Sequence, residues 1–466
     1  MNKAQELFES AISVENTFEF EKAKGMYAQI AIEFPGSSQA DKAAEKMEDM
    51  NLLIQEKNIY KRINQAAKDV LTKIGINIAE SDRIMEIMMN ADAIDFDNEE
   101  AIFVPLKPDY IERCLEQVPR SFGGDPGKNA FGTGATPPFL KRETDDELRP
   151  ANGLEFKEIV DAVTENADIV DIFSVPVQTD KQTSDFECAK MMDQGFSGLK
   201  MISTKKMSDE EVRFFNGRED WLDGTTLITS LGPMNTMVEP FIRSAETGNN
   251  LLLLDLSIAG FSAPHSPESL LTLIHAQEIF MMVLAQTINP GITCVHGGIP
   301  GITGSSGDLS YTSLSQSLTN ASMARLNTWI TGIPSAQSGG STSVTDDLKT
   351  AVEESEFSRD MLRKYGVHIV RHALGALGSL TFFSLPKFRE DCKREAAAKK
   401  EFVRSGVSPL YLPADPDAFQ GNREMAEKGN PRSTDHALYN VKSFMDWEER
   451  IGQEAARKDC LCLKAA

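Results

Sequence analysis

From about residue 151 onward, short apolar runs alternate with amphipathic stretches. The runs are ADIVDIFSVPV (167–177), GLKMIST (198–204), TTLITSLGP (225–233), NLLLLDLSIAG (250–260), GITCVHGG (291–298), GIPSAQSGG (332–340) and GVHIVRHA (366–373). Between most of them lie helical patterns such as PESLLTLIHAQEIFMMVLAQ and LSQSLTNASMARLNTW. Strands apolar on both faces need cover on both, which predicts a parallel sheet flanked by helices. LGSLTFF (377–383) would bring the seven runs to eight, so the expected fold is α/β, a (β/α)8 TIM-type barrel over residues 151–400. A doubly wound open sheet is the rival. It is disfavoured because FGTGATPP places prolines where a dinucleotide-binding helix would begin.

Ahead of the barrel the period is helical. Residues 1–50 carry Ala4, Phe8 and Ala11 on one stretch and Ala23, Tyr27 and Ile30 on the next, before the break FPGSS. This N-terminal helical extension is similar to a single tetratricopeptide hairpin, which cannot bury its own apolar face. It must dock on the rest of the chain, on another subunit or on a partner. Residues 51–150 form a second block. A helix from about 60 to 74 should be capped by Gly75. A helix over 81–90, a strand in AIFVPL, a helix in KPDYIERCLEQVP and a hairpin-like NAFGTGATPPFLKRETDDELRP should follow. Residues 401–466 read as a helical tail with a last helix around Trp447.

Charge narrows the partners. Seventy acidic against 48 basic residues give a net charge of −22, which argues against a nucleic acid, because its phosphates draw clustered Lys and Arg. No apolar run approaches the ~20 residues of a membrane span. The start MNKAQELFES also lacks the pattern of a secretory signal, so a cytoplasmic protein without a membrane partner is expected. The six cysteines (114, 188, 294, 392, 460, 462) are expected to be reduced, and Cys460 and Cys462 have no second pair at zinc-site spacing.

Barrel chemistry sits at the C-terminal strand ends, which directs attention to the polar residues closing each run. These include Ser203, Asp255, His296, the loop to Asp308, the stretch from Ser338 to Asp346, and His372. His296 is a candidate acid/base group, because an imidazole titrates near neutrality. No set of ligands is spaced for a metal, so none is expected. No Gly-x-Ser-x-Gly elbow follows a strand, and the glycine-rich GGIPGITGSSGD lacks a P-loop ending.

The order of several short motifs resembles the trimethylamine:corrinoid methyltransferase superfamily, in its non-pyrrolysine, glycine-betaine-methyltransferase-like branch. In INQAAKDVLTKIGINIAESDRIMEIMMNADAIDFDNEEAIFVPLKPDYIERCLEQVPRSF the matching positions are Gly75, Ala91 to Asp95, Val104-Pro105 and Pro119 to Phe122. Farther on, SLGPMNT, the Ala259-Gly260-x-x-x-Pro264 loop, GIPSAQSGGSTSVTDDLK and DWEERIG match in order. YTSLSQ stands where the family usually has Gly-Ser-Pro-Glu, and Glu354 in AVEESEF stands near a usual Gln.

The resemblance implies transfer of a methyl group from a small methylated, quaternary amine to Co(I) of a separate corrinoid protein. No cofactor would be tightly bound by this chain, because its partner supplies the corrinoid (cobalamin). A homo-oligomer working in methanogenesis or one-carbon metabolism is expected. Asp308 and His296 are the catalytic candidates; Asp255, Phe261, Tyr311, Ser338, Asp346, Glu354 and His372 are the substrate-binding candidates. Phe261 and Tyr311 would offer aromatic faces to a quaternary nitrogen, with Asp255 or Asp308 compensating its charge. The alternatives are an altered paralogue acting as a binding or assembly protein, and a barrel lyase or hydrolase using His296 with a metal.

Overall fold

The computed structural model describes residues 3–79, 81–94, 102–127, 129–134, 136–142, 148–303, 313–401, 407–428 and 443–457. Eight short strands run in parallel through the centre. In chain order they are β1 (Ala130–Phe131), β2 (Ile172–Ser174), β3 (Leu199–Ile202), β4 (Trp221–Thr225), β5 (Leu251–Leu253), β6 (Cys294–His296), β7 (Ala336–Ser338) and β8 (Ile369–Arg371). Three helices precede them: α1 (Lys3–Glu15), α2 (Phe20–Glu33) and α3 (Ser38–Asp69). Two shorter ones, α4 (Asp82–Asn90) and α5 (Pro108–Gln117), follow. The strands are linked through α6 (Gly153–Glu165), α7 (Asp185–Gly195), α8 (Asp209–Val212), α9 (Asn235–Thr247), α10 (Pro267–Ile288), α11 (Leu314–Leu326) and α12 (Leu348–Lys364). After β8 come α13 (Leu385–Glu401), α14 (Ala418–Lys428) and α15 (Ser443–Arg457).

Strands β6-β5-β4-β3-β2 form one sheet and β1-β8-β7 another. Single parallel bridges, Gly132 to Ile172 and His296 to Ser335, join the two sheets edge to edge at both sides. All eight strands contribute to one separate apolar core, containing Ala130, Ile172, Leu199, Met201, Leu222, Leu252, Val295, Ala336 and Ile369. Their alternate residues face the helices and join the larger outer core, as the two-residue period of a strand requires.

Three sequence expectations change here. LGSLTFF is not a central strand: Ala376–Leu377 pairs antiparallel with Phe382–Ser384, which lies parallel to Phe139–Lys141 in a small separate sheet. The cause is the turn between them, where Gly378, Ser379 and Leu380 take φ of 56°, 51° and 66°. The first central strand comes instead from NAFGTG, whose two paired residues are too few to show alternation. In TTLITSLGP only Thr225 belongs to β4, and 228–233 is a tight hairpin turning at Ser230 and Leu231, both at positive φ.

The N-terminal helices dock on their own chain. α3 runs unbroken for 32 residues, where the sequence placed a helix only from about residue 60, then loosens into a π-turn over Val70–Ile74. Gly75 ends it at φ 95°, and a Cβ there would lie 2.4 Å from the Val104 carbonyl carbon. AIFVPL supplies only the isolated bridges Ile76–Val104 and Ile94–Leu106. Phe18, Phe20 and Tyr60 surround Trp329, with ring centroids 4.9 to 5.6 Å apart.

Two buried glutamates tie these helices to distant segments. Glu15 accepts from Tyr27 Oη (2.7 Å), Lys46 Nζ (2.9 Å) and the Val407 amide (2.7 Å). Glu56 accepts from Tyr60 Oη (2.7 Å), Arg325 Nη1 (2.7 Å) and the Leu410 amide (2.9 Å). Tyr27→Phe removes one donor from a buried carboxylate and should cost about 1–3 kcal/mol. Chemical unfolding checks this: a midpoint equal to wild type would contradict the role given to that hydrogen bond.

Among the described residues one helix, α10, is long and apolar enough to cross a membrane by length and composition, but 89% of that window is buried inside the protein. It packs between α3, α5 and α14 on one side and the strands on the other. A mainly apolar helix suits such a central position, and its buried polar residues Gln277 and His275 find hydrogen-bond partners.

Candidate functional site

The pleat decides which side chains meet at the C-terminal strand ends. Two positions beyond each inner-core residue the chain points inward again: Ser174 after Ile172, Ser203 after Met201, Gly224 and Thr226 after Leu222, Leu254 and Leu256 after Leu252, and Arg371 after Ile369. All of these line one cavity of about 310 Å³, together with Thr136, Asp255, Ile299, His372 and Leu380 among others. Among the described residues, Arg371, Asp255 and His372 are the ionisable residues of its lining. They stand at the ends of β8 and β5, with β6 and β7 between.

Arg371 is buried and its Nη2 donates to the carbonyls of Gly297 (2.7 Å) and Ala336 (3.2 Å), which fixes the guanidinium at the strand ends. Asp255 Oδ2 accepts from Gln277 Nε2 (2.7 Å), which also donates to Ser257 Oγ (3.0 Å). Among the described residues Asp255 Oδ1 has no hydrogen-bond partner, although it is buried. Burial raises the Asp255 carboxyl to about 7, with the nearby Ser257 opposing. Asp255 lies between the inward-pointing Leu254 and Leu256, and its carboxylate is held by Gln277 of α10, so the residue borders the cavity from the α10 side.

His372, at φ 63°, pairs its Nδ1 with Ser338 Oγ at 2.9 Å. Burial, and then the neighbouring Arg371 charge, hold it well below the usual imidazole range, so it is neutral. A cluster of buried charges supports the chain just beyond it. Arg359 Nη1 donates to the Ala373 carbonyl (3.0 Å) and to Asp391 Oδ1 (3.2 Å). Asp391 Oδ2 accepts from the Gly375 amide (2.8 Å) and from Lys387 Nζ (2.6 Å).

His296 has a different setting from the one its strand-end position suggested. Val295 points inward, so His296 points out toward α10, fully buried and away from the cavity. Its Nε2 meets His275 Nδ1 at 3.3 Å, and His275 Nε2 meets Asn64 Oδ1 at 3.0 Å. An amide oxygen only accepts, so His275 donates through Nε2 and accepts at Nδ1 from His296. That leaves His296 Nδ1 as an acceptor, and the Gly298 amide donates to it at 3.3 Å. Burial lowers His275 to about 3; burial and then His275 hold His296 well below its ordinary value, so both are neutral. Glu278 Oε2 is 3.8 Å from His296 Nδ1. Burial and the Asp255 charge push Glu278 well above the carboxylate range.

The other expected residues scatter. Phe261 is 67% exposed on a turn. Asp346 is exposed and ion-paired with Lys141 (2.6 Å), because it lies beside the small outer sheet. Glu354 accepts from Thr342 Oγ1 (2.5 Å) and so anchors the loop after β7. Asp308 and Tyr311 lie outside the described residues. The lining residues include no Phe, Tyr or Trp, so the aromatic cradle expected for a cation is not formed by described residues. Among the described residues no three His, Cys, Asp or Glu side chains are grouped to hold a metal ion. Gly297 and Gly298 serve close packing: a Cβ at either would lie 2.1 Å from the Leu253 carbonyl oxygen or 2.3 Å from Ile274 Cγ2.

A sequence model described as trimethylamine methyltransferase matches residues 31–445. The chain belongs to the trimethylamine methyltransferase family. The matched span contains the whole cavity lining and leaves α1 and most of α2 outside. A 174-residue stretch is 31% identical to the glycine betaine methyltransferase of Desulfitobacterium hafniense (strain Y51), covering 36% of this chain and 35% of that protein. The chain thus spans about a third of the length of this curated relative. Two solved structures similar to this chain are crystal structures of MtmB. The hydroxylamine complex has a TM-score of 0.47 and 11% identity over 93% of this chain and 84% of its own. The Methanosarcina barkeri monomethylamine methyltransferase has a TM-score of 0.47 and 11% identity over 85% and 84%.

Proposed function

We propose that this methyltransferase moves a methyl group from a small quaternary amine that also carries a carboxylate to Co(I) of a separate corrinoid protein. The observation that carries this reading is that Arg371 and Asp255 share one cavity at the strand ends. We read the eight strands, with the bridges Gly132–Ile172 and His296–Ser335, as a closed (β/α)8 barrel whose mouth is that cavity. A guanidinium matches a carboxylate by paired hydrogen bonds, and an ionised aspartate compensates a quaternary nitrogen. The name of the relative, glycine betaine methyltransferase, supports a ligand with both charges.

In the step itself the N–CH3 bond breaks and its electron pair stays on nitrogen, leaving a neutral tertiary amine. The methyl group bonds to cobalt, whose Co(I) state supplies both electrons. Cobalt is the nucleophile in this step, so the chain need supply none. Its residues hold the amine in line and exclude water, which is where such an active site gains its rate. Ser174, Ser203 and Thr226 provide hydroxyls around the ligand, and Leu252, Leu254, Leu256 and Ile299 provide the apolar wall.

Incubating the chain with a reduced corrinoid protein and a panel of trimethylammonium compounds tests this by proton NMR. The expected result is loss of the trimethyl resonance of one carboxylate-bearing compound as its dimethylamino product forms. An unchanged panel in the presence of a competent acceptor would remove the reading.

A further inference from the structure

Backbone strain is gathered at the cavity rim. Of ten non-glycine residues with positive φ among the described residues, three line the cavity: Thr136 (52°), His372 (63°) and Leu380 (66°). Left-handed backbone is unfavourable for any residue with a Cβ, and such strain persists where surrounding structure enforces it, often around ligands.

Leu380 is the most constrained of the three. Gly378 and Ser379 before it are also left-handed, at 56° and 51°. The loop after β7 pins this turn: the Gly378 amide donates to the Val344 carbonyl (3.0 Å) and the Ser379 amide to the Thr342 carbonyl (2.8 Å). Thr342 is in turn held by Glu354 (2.5 Å). From the other side Phe382 packs on Phe139, with centroids 6.0 Å apart. A Cβ at Gly378 would sit 2.9 Å from Phe382 Cδ2 and 3.0 Å from Thr345 Cγ2, so the turn has no slack. Leu380 is nevertheless only half-buried, and it lines the cavity.

The geometry points to Leu380 as the residue that sets how bulky an ammonium group the cavity accepts, held to that task by the left-handed turn 378–380. This rests on the ammonium reading of the cavity. A wall on a pinned backbone cannot retreat, so it excludes larger ligands by clash; a wall on a free loop would yield. One methylene in a fitted apolar wall changes discrimination by about 10- to 200-fold.

Calorimetric titration of the full chain tests the proposal with two pairs of ligands. One pair is trimethylammonioacetate and triethylammonioacetate; the other is their carbon analogues 3,3-dimethylbutanoate and 3,3-diethylpentanoate, which lack the positive charge. Wild type should prefer the smaller member of each pair by about 10-fold or more, and Leu380→Ala should remove most of that preference. A preference unchanged within about twofold in Leu380→Ala, or absent in wild type, overturns the role of Leu380. If only the carbon pair binds and its preference depends on Leu380, the ammonium reading fails and the size limit stands. If nothing binds either protein, both fall. Ser379→Gly gives a second readout. It should raise the thermal midpoint, because glycine takes positive φ without strain, and should relax the size preference. A lower midpoint would show that the turn is not under the strain assigned to it.

Discussion

Arg371→Met is expected to weaken binding of a carboxylate-bearing trimethylammonium compound by about 30- to 1,000-fold, equivalent to ~2–4 kcal/mol. The side chain is buried, oriented by two backbone carbonyls, and lies where strand alternation carries it into the cavity. Methionine keeps much of the apolar stem and removes the fork of donors. Arg371→Lys should recover only part of the affinity, because an ammonium cannot make the paired contact. The choline-type analogue without a carboxylate is the control, and it should lose little on either substitution. Equal losses for both ligands in calorimetry would show that Arg371 acts on the fold and not on the carboxylate.

The second large effect is on pH. Asp255 is held at about 7 by burial, and only its ionised form attracts a cation. Affinity for the quaternary ammonium should therefore rise about tenfold per pH unit below 7 and level off above it. A bound cation favours the ionised form, so its carboxyl pKa in the complex must be lower than in the free protein. Asp255→Asn should flatten the profile and lower the plateau. A profile that stays sloped in Asp255→Asn would assign the titration to another group.

Folding stability should respond in the opposite sense. The folded-state value lies above the ordinary 3.8, so this group's contribution is complete below about 4 and is lost as pH rises through about 7. Ligand affinity and intrinsic stability thus pull apart over the same pH window.

Much of this architecture was legible in the chain. The alternation of two-sided apolar runs with helical stretches marks six of the eight central strands and touches a seventh, Trp221–Thr225, only at its last residue, because a covered parallel strand must be apolar on both faces. The remaining strand, Ala130–Phe131, is two residues between turn-formers, and no periodicity survives at that length. The run LGSLTFF has strand composition, and only its three consecutive left-handed residues turn it into a hairpin.

The site was read less well, for reasons of parity and reach. Taking the last polar residue of each run selects His296, which the pleat turns toward α10, and passes over Arg371, which precedes the cavity-lining His372. Counting two from Ile369 would have found Arg371. Asp255, read from the sequence as an acid facing the chamber, borders the cavity with its carboxylate turned to Gln277 of α10. Gln277, which orients Asp255, sits on α10 among residues that read simply as core. Phe261 and Asp346 lie close in sequence to strand ends but on exposed turns, and no local pattern distinguishes a loop that folds over a mouth from one that folds away.

The most direct test of the central claim is the ultraviolet-visible spectrum of a Co(I) corrinoid protein mixed with this chain and trimethylammonioacetate, followed over time at pH 8. The account predicts conversion of the Co(I) bands to those of methyl-Co(III), and strong slowing in Arg371→Met and Asp255→Asn. Conversion at an equal rate in both variants would contradict the placement of the reaction in this cavity. No conversion with wild type and a competent acceptor, across carboxylate-bearing and plain methylated amines alike, would contradict the proposed activity itself.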